Sequence, residues 1–85
     1  MTKRHIAIAA AILEAFHELD GGQAHELTLH ADANKHFRAL IPKNEYDEVF
    51  AELNQEGCFM GVPTKFKGTL WSLTPKGEQT RQEMK

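Results

Sequence analysis

The chain carries a single cysteine, Cys58, a single tryptophan, Trp71, and no apolar run longer than eight residues. One cysteine excludes an internal disulfide. No Cys-x-x-Cys pair exists, so a reducing cytoplasm is the expected location. The apolar run, residues 6–13, is far short of the roughly 20 residues that cross a bilayer, and no membrane association is expected. Lys3-Arg4-His5 in front of it imitates the charged start of a secretory signal. Glu14 ends the run, however, and Glu18 and Asp20 stand where a cleavage site would need small residues, so the segment reads as a core helix. Catalytic signatures are missing too. There is no Gly-x-Ser-x-Gly, no phosphate-cradling glycine loop and no zinc-protease motif. With 85 residues there is little room for a substrate pocket, so neither enzymatic activity, a small-molecule substrate nor a cofactor is expected. Five histidines are present (His5, His17, His25, His30 and His36), yet none forms a His-x3-His pair on one helical face, and no metal site is expected. No repeat, linker or low-complexity tract divides the chain, which reads as one domain over residues 1–85.

What is present is an ordinary globular composition, 41% apolar and 26% charged, with charge unevenly spread. Residues 1–13 hold Lys3 and Arg4 and no acid. Residues 14–56 hold ten acids against Lys35, Arg38 and Lys43, a balance of −7. Residues 57–85 hold five cations against Glu78 and Glu83, a balance of +3. An acidic middle therefore lies between basic ends.

Thr2 can cap a first helix over residues 3–19, where Ile6, Ala9, Leu13 and Phe16 fall at helical spacing, and Asp20-Gly21-Gly22 stops it. Residues 26–30 alternate polar and apolar and predict a short extended piece. A second helix fits residues 31–40, with Ala33, Phe37 and Leu40 on one stripe, ended by Ile41-Pro42. Asn44-x-x-Asp47 resembles a capping box for a third helix that runs to about Glu56 and stops at Gly57. Tyr46, Val49, Phe50 and Leu53 form its apolar stripe. Residues 58–62 and 69–73 read as two strands joined by the loop Pro63-Thr64-Lys65-Phe66-Lys67-Gly68. Thr74-Pro75 places a cap before a proline at the first helical position, and any helix after it is short, with Met84 its one apolar anchor. The expected core is Ile6, Ile12, Leu13, Phe16, Leu27, Phe37, Leu40, Tyr46, Val49, Phe50, Leu53, Met60, Leu70 and Leu73, with Cys58 a small buried hydrophobe.

The order of elements, together with Phe50-Ala51-Glu52-Leu53-Asn54-Gln55-Glu56-Gly57-Cys58-Phe59 and Leu70-Trp71-Ser72-Leu73-Thr74-Pro75-Lys76-Gly77-Glu78, resembles the winged helix-turn-helix superfamily, and its small bacterial and phage members in particular. The resemblance covers almost the whole chain. It implies an α+β fold, a three-helix bundle followed by a two-stranded hairpin wing and a short C-terminal helix or tail. It also implies a third helix that reads a major groove and a wing that touches DNA backbone.

Helical spacing puts Asn44, Glu48, Ala51 and Gln55 opposite the apolar stripe of the third helix. Asn44 and Gln55 have the chemistry to read an adenine edge, and Lys43 stands at the helix start. Glu48 and Asp47 would face phosphates, and no lysine or arginine occupies the centre of that face. In the wing, Lys65, Phe66 and Lys67 set two cations around an aromatic, a pattern suited to phosphate contact and stacking. The DNA-contact candidates are thus Lys43, Asn44, Glu48, Gln55, Lys65, Phe66 and Lys67. Lys35, Arg38, Lys3 and Arg4 extend a basic edge if the fold gathers them. The acids on the third helix open a second class, a protein-interaction module that docks this face on a charged partner without binding DNA. Its aromatic anchors would come from Trp71, Phe66 and Tyr46, of which Trp71 and Tyr46 have spacing that also suits the core. Double-stranded DNA and a protein are thus the two partner classes. Self-association through a spare apolar edge of the first helix stays open.

Overall fold

Helix α1, Lys3–Glu18, opens the chain in a computed structural model that describes residues 2–18, 23–66 and 68–84. The Thr2 hydroxyl accepts the His5 backbone N–H at 3.1 Å, satisfying one of the free donors of the first turn. Ile8, Ile12, Leu13 and Phe16 are fully buried, each worth about 2 kcal/mol of apolar transfer. Ile6, expected in the core, is 43% exposed. It lies about 120° round the helix from Ile12, on the edge of the buried stripe. The glycine stop at residues 20–22 lies outside the described residues.

The next segment departs most from expectation. Gln23–His25 forms a strand, β1, and the chain then turns straight into helix α2, Glu26–Asn34. The alternation of residues 26–30 is therefore helical, not extended: Leu29 and Ala33, four apart, are buried, while Leu27 is 73% exposed. Five residues are too few to separate a period of 2 from one of 3.6. The helix also ends before residue 40. Asn34 organises the exit, donating from Nδ2 to the Ala39 carbonyl at 3.0 Å and accepting the Ile41 N–H at 3.0 Å on its side-chain oxygen. The His30 ring holds the Ile41 carbonyl at 2.7 Å. These bonds bury Ile41 and turn Leu40 outward, to 83% exposure, so the core position expected of Leu40 belongs to its neighbour.

Helix α3, Lys43–Gln55, buries Tyr46, Val49 and Leu53 and half-buries Phe50, the stripe expected. Its N-cap is Pro42, not Asn44, so the proposed capping box does not form. Pro42 is extended at φ −58° and ψ 143°, and its carbonyl takes the Tyr46 N–H at 2.9 Å. Asn44 and Asp47 consequently lie within the helix. Gly57, at φ 85°, ends the exit in the left-handed region that glycine adopts without steric cost.

Strands β2, Phe59–Pro63, and β3, Thr69–Leu73, form the expected hairpin, and β1 adds a third strand. The sheet is antiparallel in the order β1-β3-β2, with Ala24 opposite Trp71 and Phe59 opposite Leu73. Phe59 faces the core, so its neighbour Met60, expected inside, is 61% exposed on the other face. Phe16, Phe59, Phe50, Tyr46 and His30 stack in one file with ring centroids 4.5 to 5.9 Å apart, and Trp71 meets Phe50 edge-on at 5.0 Å. This file joins α1, the sheet, α3 and α2 into one core.

Helix α4, Pro75–Glu83, is capped as expected: the Thr74 hydroxyl accepts the Gly77 N–H at 3.1 Å. It docks more firmly than its polar sequence suggests. Arg81, only 6% exposed, donates to Glu14 of α1 at 2.9 Å and to Glu78 at 2.6 Å, and Met84 packs on the core.

Two outcomes follow from this docking. A Cβ at Gly77 would collide with the Cys58 carbonyl and the Leu73 side chain. Gly77→Ala therefore destabilises by about 1–3 kcal/mol in chemical denaturation, although alanine in a free helix gains about 1 kcal/mol over glycine. Hydrogen bonds from Arg81 hold the Glu78 carboxyl below its ordinary value of 4.5. A carboxyl with a depressed folded pKa stabilises above its unfolded pKa, and that contribution disappears as pH falls through the lower, folded value. Thermal unfolding midpoints measured from pH 6 downward are expected to drop below about pH 4.5, with a shallower drop in Glu78→Gln.

Candidate nucleic-acid interface

The interface implied by the sequence has two parts, the outward face of α3 and the tip of the β2–β3 hairpin. Helix α3 presents Lys43, Asn44, Asp47, Glu48, Ala51 and Gln55 to solvent, because its buried stripe through Tyr46, Val49 and Leu53 leaves them on the far side. Helical periodicity alone placed this face correctly.

Its electrostatics are more neutral than the charge count suggests. Lys43 Nζ lies 2.6 Å from Asp47 Oδ1 one turn on, and 5.7 Å from the centre of the Tyr46 ring. Arg4 of α1 reaches across to Glu45 at 2.6 Å, and its hydrogen bond lowers the Glu45 pKa. Lys35 pairs with Asp32 at 3.6 Å. Lys43, and two of the four cations that could have extended a basic edge, are thus engaged with acids. Exposed pairs of this sort contribute about 1 kcal/mol at most, so phosphate can compete for these cations. Glu48 has no ion-pair partner among the described residues.

At the hairpin tip Thr64 closes the loop, its N–H donating to the Gly68 carbonyl at 2.9 Å. Phe66 is 86% exposed, and the Lys65 ammonium lies 5.7 Å from the centre of its ring. A folded-back Phe66, the alternative that charged turns suggest, is not found. Lys67 lies outside the described residues. The base of the wing rests on α2, where the Glu26 carboxylate accepts the Thr69 N–H at 3.1 Å.

One grouping escaped the sequence. His5 of α1 and Glu48 and Glu52 of α3 bring ligand atoms within 4.8 Å of one another, a set that could hold a divalent ion. A search for close histidine pairs within one helix cannot find ligands contributed by two helices.

The fold is α+β, with four helices and a three-stranded antiparallel sheet among the described residues. A transcriptional regulator from Clostridium thermocellum, Cth-833, superposes with a TM-score of 0.74 at 16% identity, over 92% of this chain and 78% of that one. No protein-family model matches the chain, and no curated protein sequence matches it. Among the described residues, no helix is long and apolar enough to cross a membrane.

Proposed function

We propose that the chain is a DNA-binding regulatory domain. In this reading the wing, through Lys65, Phe66 and Lys67, contacts sugar and phosphate, while Lys43, Asn44, Glu48 and Gln55 of α3 line the groove. The observation that carries it is Phe66. A phenylalanine 86% exposed beside a lysine at a hairpin tip does nothing for the core and keeps an apolar ring in water, a cost that contact with nucleic acid offsets. The likeness of the fold to that of a transcriptional regulator supports the same reading. The acids temper affinity and do not forbid it. Lys43 is released to phosphate by breaking one exposed pair, and Asn44 beside it is free to meet a base edge.

The test is anisotropy of a labelled random duplex at low salt. Binding is expected to be weak, tighter than about 10⁻⁴ M, with a log–log salt slope near −3 for about three phosphate contacts. Lys65→Ala should reduce that slope by about one. Phe66→Ala should cost about 1–3 kcal/mol if the ring stacks. Absence of binding at about 10⁻⁴ M overturns the reading.

A second reading has an observation of its own. Glu48 stands exposed without an ion-pair partner among the described residues, on the face of α3 that would dock on a cationic protein surface. In a pull-down, Asp47→Lys combined with Glu48→Lys should then release the partner, whereas retention of every partner counts against this class.

A further inference from the structure

Helix α3 carries three acids, Glu45, Glu48 and Glu52, at the three- and four-residue spacing that lines up side chains along one edge of a helix. The start of α1 lies against that edge. Arg4 grips Glu45 with two hydrogen bonds, from Nε at 2.6 Å and from Nη2 at 3.2 Å. The next residue, His5, stands beside the other two acids. One imidazole nitrogen and one carboxylate oxygen from each of Glu48 and Glu52 lie within 4.8 Å of one another. His5 and Glu52 are half-buried, and Glu48 is exposed.

These two acids lack the partner that Glu45 has. Among the described residues, neither Glu48 nor Glu52 makes a side-chain ion pair or hydrogen bond. Like charges one helical turn apart repel and weaken the helix that carries them. No described lysine or arginine pairs with them in compensation. The group that approaches is an imidazole, the commonest protein ligand of metals, and it makes no direct ion pair with either carboxylate. Bonds of about 2.0–2.2 Å to one ion set its donor atoms roughly 3–4 Å apart, so these three converge on an ion by closing about 1 Å, within the reach of a glutamate rotamer adjustment.

We infer that His5, Glu48 and Glu52 bind one divalent transition-metal ion of the zinc class. The ion bridges α1 and α3 and neutralises the two acids that Arg4 leaves unmatched. The donor set selects the metal. An imidazole with two carboxylates suits zinc and its first-row neighbours, whereas magnesium and calcium take oxygen ligands. Three protein donors leave at least one position to solvent, so the ion exchanges freely and its affinity is moderate, unlike that of a closed four-ligand site. The inference stands apart from DNA binding, and either can fail without the other.

Calorimetric titration of the full chain, free of any affinity tag and stripped with chelator, tests this with zinc chloride as the probe. One ion per chain is expected, with a Kd on the order of 10 µM, weaker than a four-ligand zinc site. Manganese should bind about ten-fold more weakly than zinc, and magnesium should show no binding at about 1 mM. At about ten times its Kd, zinc should raise the thermal unfolding midpoint by roughly 6–11 °C, because the site spans two helices that separate on unfolding. His5→Asn and Glu52→Gln should each weaken zinc by about ten-fold or more, with the circular dichroism spectrum unchanged. His17→Asn, which removes an exposed histidine further along α1, should bind zinc as the unaltered chain does. No saturable binding by about 1 mM zinc, magnesium binding as tightly as zinc, or unchanged zinc affinity in folded His5→Asn and Glu52→Gln overturns the inference.

Discussion

Strand β3 is the constraint on which the other elements depend. It lies at the centre of the sheet and is paired on one side to β1, some 45 residues earlier, and on the other to β2. Its Trp71 meets Phe50 of α3, and its Leu73 lies against Gly77 at the start of α4. Among the described residues the first half of the chain has no sheet of its own: Gln23–His25 is a strand only because β3 presents it with a ladder. A three-residue strand cannot form alone, so β1 and the entry into α2 are held by a segment near the other end of the sequence. Long-range pairing of this kind delays the final assembly of the sheet relative to the local helices.

The same dependence explains what could be read from the sequence and what could not. Helices α1 and α3 were legible because each has a long apolar stripe whose period exceeds any short-range ambiguity. Gly57 and Thr74-Pro75 were legible because their backbone chemistry is local. Strand β1 was not, since Gln23-Ala24-His25 has no alternation to detect and its partner lies far away. The exchange of Leu40 for Ile41 in the core was equally hidden. It depends on the side chain of Asn34 bonding seven residues ahead, a tertiary decision between two adjacent aliphatic residues. Arg81 was missed for a related reason. A charged residue in a polar C-terminal helix reads as solvated until Glu14, on a different helix, comes within 2.9 Å.

The candidate site divides in the same way. The outward face of α3 follows from its inward one, whereas the loop sequence by itself does not decide whether the ring of Phe66 points outward or folds back on the core. The neutralisation of Arg4 by Glu45 was out of reach, because it joins residues 41 apart in sequence. Counting charges by segment gave the middle of the chain a strongly acidic character. Folding moderates it by bringing a basic end against that middle, so the field around α3 is weaker than the linear charge pattern implies.

Lys43 and Asp47 stand on the outward face of α3 and also border the cleft between α2, α3 and β3. While Lys43 is paired with Asp47, its charge is partly spent inside the protein, and releasing it costs the worth of one exposed ion pair, about 1 kcal/mol or less. That pair can open without the helix moving, because Tyr46, stacked between His30 and Phe50, holds the start of α3 against the rest of the core.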